Sequence, residues 1–211
     1  MVAPLDQFLK SNDRIKIWTA ALELEQVEGC RAVKRIVRAM IRALKDPDSE
    51  RRQAAARVLG WIARPTHHAV DALIGALADP EADVREEAAE SLGYRHARRS
   101  IRPLIEALRD PAANVRFFAA FALGSLQIPR GRRDTRIAPA LESMLSDSET
   151  PPGNWWPVRL EALAALNDER FKHELSRVMN NPNSSAAERR WAERYRDEPP
   201  TEDASKCRPE P

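Results

Sequence analysis

The side chains able to do chemistry fall into a few groupings along the 211 residues. His67 and His68 are adjacent, share a stretch with Arg64, and are followed by His96 in the next comparable stretch. A metal site needs His, Cys, Asp or Glu converging at ligand spacing. No Cys or carboxylate joins these histidines in that way, so they read as surface-turn residues and no metal is expected. Cys30 has no His close to it in sequence, and Cys207 stands near the end of the chain, so neither reads as an activated nucleophile. Trp155 and Trp156 are adjacent, and the nearest acids downstream are Glu161 and Asp168. Both acids, however, fall at structural positions of a repeat. No P-loop, G-x-G-x-x-G, G-x-S-x-G or H-E-x-x-H occurs. No catalytic residue and no cofactor is assigned.

The elements carrying these residues recur. Asp-Pro stands at 46, 79 and 110, an Arg follows each Asp by six residues (Arg52, Arg85, Arg116), and an Ala pair and Leu-Gly come next. Weaker anchors at 11, 147 and 181 extend the frame, giving intervals of 35, 33, 31, 37 and 34 residues. A fixed period in this range marks a repeat array. Each unit reads as helix A, an Asp-Pro turn and helix B: Pro stops helix A, and Asp caps the backbone that follows. Ala, Leu, Arg and Glu dominate, which favours an all-α chain, and no segment reads as a strand. The expectation is one domain over residues 1–196 with atypical capping repeats at 1–30 and 168–196, and a flexible tail at 197–211.

The frame L-x-D-P-x-x-x-V-R-x-x-A-A-x-x-L-G resembles the HEAT repeat, in particular the bacterial HEAT-like variety also found in phycobilisome bilin lyases. The resemblance is strongest over 37–124. It implies an α-α superhelix, a right-handed α-solenoid of about six helical pairs, with the B helices on the concave side. It also implies a structural ladder made by Asp46, Asp79, Asp110, Arg52, Arg85, Arg116 and Arg159. Two enzyme families of similar architecture are weaker readings. The bilin lyases share only the generic repeat, and an alkylpurine DNA glycosylase would need a carboxylate beside Trp155 or Trp156.

Within this frame, "VREEAAESLG" (84–93) and "VRFFAAFALG" (115–124) differ where Glu86, Glu87 and Glu90 become Phe117, Phe118 and Phe121. At 100° per residue, Val115, Ala119, Ala122 and Leu123 form the core stripe, Phe118 flanks it, and Phe117 and Phe121 point away. The equivalent column, Trp18, Arg57, Glu86, Glu90, Phe117, Phe121 and Leu160, is the expected floor of a partner-binding groove. Two Phe side chains there need a cover: the chain's own Trp-rich insertion and cap, a protein partner, or a second copy.

The 34 basic and 32 acidic residues leave a net charge of +2, so only the distribution of charge is informative. The stretches between repeats hold Arg64, Arg95, Arg98, Arg99, Arg130, Arg132 and Arg133, an Arg-rich edge able to bind an anion such as nucleic acid. A second basic run, Arg31, Lys34, Arg35, Arg38 and Arg42, has one-face spacing and reads as a solvated convex surface. The start, MVAPLDQFLK, lacks the basic region and apolar run of a signal peptide, and no stretch is apolar enough to span a membrane. The overall expectation is a cytoplasmic, non-catalytic scaffold that binds a protein partner on its concave face, with nucleic-acid binding through the Arg edge as the alternative.

Overall fold

The computed structural model describes residues 30–61, 66–127, 134–151, 157–166 and 169–184, with 189, 192 and 193. Nine α-helices lie in these residues: α1 (Cys30–Ala43), α2 (Ser49–Trp61), α3 (His67–Ala76), α4 (Ala82–Tyr94), α5 (Ile101–Ala107), α6 (Ala113–Gln127), α7 (Ile137–Glu142), α8 (Val158–Leu166) and α9 (Glu169–Asn180). They form four A/B pairs, α1/α2 to α7/α8, and α9 is helix A of the next. The described residues contain no strand, and the layered pairs make an α-solenoid. The pair expected before α1 lies outside the described residues, as does the tail.

The turns form as the frame requires. Asp46, Asp79, Asp110 and Asp147 each accept a hydrogen bond on Oδ1 from the backbone N–H two residues on, at 2.9–3.1 Å. Asn181 does the same at 3.0 Å, so Asn-Pro reproduces the Asp-Pro turn. Pro103 and Pro139 sit in the first turns of α5 and α7, where a helix has no partner for their missing N–H. Thr66 caps α3 by accepting from the Ala69 N–H at 3.2 Å.

A ladder of arginines holds the pairs in register. Arg52 donates through Nη1 to the carbonyls of Asp46 and Pro47 in its own turn, and through Nε and Nη2 to Asp79 of the next, at 2.8 and 2.9 Å. Arg85 repeats this with Asp79, Pro80 and Asp110, and Arg116 with Asp110, Pro111 and Asp147. Arg159 departs from the pattern. The insertion before it places its backbone N–H on the Asp147 carbonyl, at 2.9 Å, and its guanidinium 3.6 Å from Glu174. Arg189 restores half of the motif by donating to Asn181 and Pro182 carbonyls.

The B helices run close together along the array, whereas successive A helices touch at few points. Glycine permits this. A Cβ on Gly60 would sit 2.2 Å from Ser91 Oγ, one on Gly93 3.0 Å from Ala122 Cα, and one on Gly124 2.7 Å from Ala165 Cβ. The Leu-Gly of α2, α4 and α6 therefore each meets a small residue of the next B helix. Tighter packing along one row curves a solenoid towards that row, so the B side is the inner side.

Candidate functional site

The described part of the expected groove column is built on α2, α4, α6 and α8, and its charged side chains are engaged with residues beside the column. Arg57 of α2 donates to Glu87 of α4 at 2.6 and 3.0 Å, and Glu87 is buried. Asn114 of α6 donates to Glu86 at 2.9 Å. Glu90 is buried and accepts a hydrogen bond from the Tyr94 hydroxyl at 3.1 Å. Trp18 lies outside the described residues, as does the Leu160 side chain.

Two column residues expected on an open groove floor are inside the protein. Glu90 is 3% exposed and Phe117 is 8% exposed. The single core stripe assumed for a B helix is too narrow. Each B helix is flanked by B helices on both sides as well as by A helices, so positions beside the stripe are covered too. Phe117 belongs to the main core cluster, while Phe118 is partly buried against it. Phe121 is also only partly buried.

The exchange of Glu for Phe between repeats becomes intelligible here. Glu87 answers Arg57 across the α2–α4 junction, and Glu90 answers Tyr94. The Phe residues form an edge-to-face chain instead. Phe117 meets Phe118 at 5.3 Å between ring centroids, Phe118 meets Phe121 at 6.4 Å, and Phe121 meets Tyr94 at 5.7 Å. Tyr94 then meets Trp61 at 5.2 Å. A continuous aromatic track thus crosses α6, α4 and α2 and reaches Trp61. Trp61 is 39% exposed and is the exposed large hydrophobic residue among the described residues. Trp61 and Tyr94 were not part of the expected column. Their signal was available, since each directly follows the Leu-Gly of its repeat.

Of the Arg-rich edge, Arg95, Arg98 and Arg99 lie among the described residues. Arg95 donates through Nε to the Leu59 carbonyl at 3.0 Å, satisfying the last turn of α2. Arg99 pairs with Asp71 at 3.0 Å, Arg102 with Glu106 at 3.1 Å, and Arg136 with Asp134 at 2.8 Å. The Arg136 hydrogen bond and the Arg136 N–H lower the Asp134 carboxyl to about 2. Arg98 is exposed and its charge reaches Asp134. Arg64, Arg130, Arg132 and Arg133 lie outside the described residues.

The remaining chemical candidates are dispersed. His67 and His68 are exposed on α3. His96 follows α4 with φ 46° and its Nδ1 lies 3.1 Å from the Ser125 carbonyl. No cluster of three His, Cys, Asp or Glu suited to a metal occurs among the described residues. Glu161 is buried in α8, while Trp155, Trp156 and Asp168 lie outside the described residues. No helix among the described residues is long and apolar enough to cross a membrane.

A family model of HEAT repeats matches residues 2–93 and again 70–167. No curated protein matches the chain. Among solved structures it is similar to the complex of CpcE and CpcF of phycocyanin lyase from Nostoc sp. PCC7120, with a TM-score of 0.53, 26% identity and 77% of this chain covered. The chain spans 66% of that lyase chain's length. It is also similar to an engineered protein (TM-score 0.47, 21% identity, 92% of this chain and 94% of that one). A designed armadillo repeat protein matches with a TM-score of 0.46 and 16% identity over 92% of this chain and 97% of that one. With the repeat model spanning most of the sequence and the Arg–Asp ladder joining one unit to the next, this chain belongs to the HEAT-repeat family.

Proposed function

We propose that the chain is a non-catalytic scaffold that docks a protein partner on the inner, B-helix side at Trp61, where the aromatic track is exposed. The observation that carries this reading is Trp61, exposed at the end of Tyr94, Phe121, Phe118 and Phe117. An exposed Trp backed by packed rings is a preorganised anchor, because little side-chain freedom remains to be lost on binding. The column's charged residues support a scaffold as well: Arg57 and Glu86 are engaged with neighbouring repeats, and Glu90 with Tyr94 of its own helix. The CpcE and CpcF structure is a complex of two chains, and a second repeat chain, including another copy of this one, is the partner class we favour.

The test compares wild type with Trp61→Ala and with Arg102→Ala as a surface control. Sedimentation would follow self-association, and affinity capture from the source cell would follow a second chain. A complex kept by the control but lost by Trp61→Ala, at unchanged helical circular dichroism, supports the reading. A complex retained in full by Trp61→Ala overturns it. The Arg-rich edge is the weaker site, because Arg95 is bound to the Leu59 carbonyl and Arg99 carries an ion pair with Asp71.

A further inference from the structure

The first described helix carries a charge unlike that of any other. Residues 31–45, comprising most of α1 and its exit turn, hold six cations (Arg31, Lys34, Arg35, Arg38, Arg42 and Lys45) and no carboxylate. Lys34, Arg35, Arg38, Arg42 and Lys45 are exposed. Their situation differs from that of the Arg-rich edge. Arg99, Arg102 and Arg136 each hold a carboxylate, whereas no ion pair neutralises Lys34, Arg38, Arg42 or Lys45 among the described residues. Among the described residues, the strongest uncompensated positive surface is therefore the exposed face of α1.

The other side of α1 limits what this face can bind. Val33, Ile36, Val37, Ala39 and Met40 are buried in the core, so the helix has no apolar stripe left to offer. An interfacial helix holds to lipid by burying its apolar face, and that face is already used. A protein interface has a core enriched in aromatic side chains and depleted of charge, while the outer surface of α1 presents cations. A phosphate backbone needs only regularly placed positive charge. Lys34, Arg38 and Arg42 follow at i, i+4 and i+8, so successive cations are about 6 Å apart along the helix. With Lys45 the run spans about 16 Å, a distance over which one strand of a duplex carries roughly five phosphates.

We propose that the outer face of α1 is a docking surface for the phosphate backbone of duplex nucleic acid, bound without regard to sequence. Arg supplies bidentate contacts to phosphate that suit this use. The surface lies on an A helix, opposite the aromatic track, so both could be occupied at once.

The test is fluorescence anisotropy of labelled DNA and RNA duplexes of about 20 base pairs, titrated with the full chain at several salt concentrations. Four phosphate contacts predict that affinity falls roughly 150-fold between 50 and 200 mM salt. The triple variant Lys34→Gln/Arg38→Gln/Arg42→Gln is expected to lose detectable binding while its helical circular dichroism stays unchanged. Arg99→Gln/Arg102→Gln is expected to bind as wild type does. Absence of binding to both duplexes at 50 mM salt overturns the proposal. So does unchanged binding by the α1 triple variant, or loss of binding only in the Arg99/Arg102 variant. Displacement of the duplex by poly-glutamate at equal charge concentration would assign the face to acidic proteins and also overturn it.

Discussion

Arg85 makes four hydrogen bonds from one guanidinium, two to the carbonyls of its own turn and two to Asp110 in the next. Only a planar fork can satisfy both turns, so Arg85→Lys is not a conservative change. It should cost about 1–3 kcal/mol in denaturant unfolding, because Asp110 is left partly buried with weaker partners. The ladder also sets an acid limit. Burial pushes the Asp79 carboxyl up, but the Arg52 hydrogen bond, the Glu81 N–H and the charges of Arg52 and Arg85 outweigh it, and its pKa lies below the ordinary value. Asp110 is held down in the same way by Arg85 and the Ala112 N–H. A carboxyl depressed in the folded state stabilises fully above its unfolded value, about 3.9, and the gain is lost as pH falls through the folded value. Asp79→Asn should therefore melt lower than wild type at pH 7, with the gap closing as pH drops below about 4. His96 gives a cleaner backbone test. Both His96→Ala and His96→Gly lose the ring contact with Ser125, but only Gly accepts φ 46° without cost, so the Ala variant should be less stable by about 1 kcal/mol.

At the scale of the helix, one exchange should act in opposite directions at two sites. A Cβ on Gly75 in α3 meets nothing within 4 Å. Gly75→Ala should raise stability by about 0.5–1 kcal/mol, the difference in helix propensity. On Gly124 the new Cβ would lie 2.7 Å from Ala165 Cβ and 2.9 Å from Ala165 Cα, where the obstacle is backbone. Gly124→Ala should lower stability by about 1–3 kcal/mol by forcing α6 and α8 apart, and thermal melts of the pair would show both signs. This explains what was legible in the sequence. The Asp-Pro, Arg and Leu-Gly frame announced the helices and turns because each signal acts within one repeat. The burial of Glu90 and Phe117 was not legible, because a helical wheel shows one helix and not the two B helices beside it. The inter-repeat arginines looked like one charged edge for the same reason, although Asp71 answers Arg99 and the Leu59 carbonyl answers Arg95 from other helices.

At the scale of the whole molecule, stability in such an array is a sum of units and junctions. Removing one rung should therefore weaken one junction and leave the others intact. Arg85→Ala is expected to let α1–α4 and α5–α9 unfold in separate steps, seen in hydrogen exchange as two protection levels. Each junction also carries its own fastening: Arg52 needs a carboxylate at the start of the next turn, and Asp79 and Asp110 both provide one. Excising residues 79–109 would bring Asp110 to Arg52 in the place of Asp79, with the turn chemistry preserved. The same excision would set Arg57 opposite Phe118 and Trp61 beside Ser125, breaking the ion pair with Glu87 and the track through Tyr94. The fastening is interchangeable between layers while the surface is not, so a chain of this kind can change length by whole layers and still has to rewrite its recognition face each time.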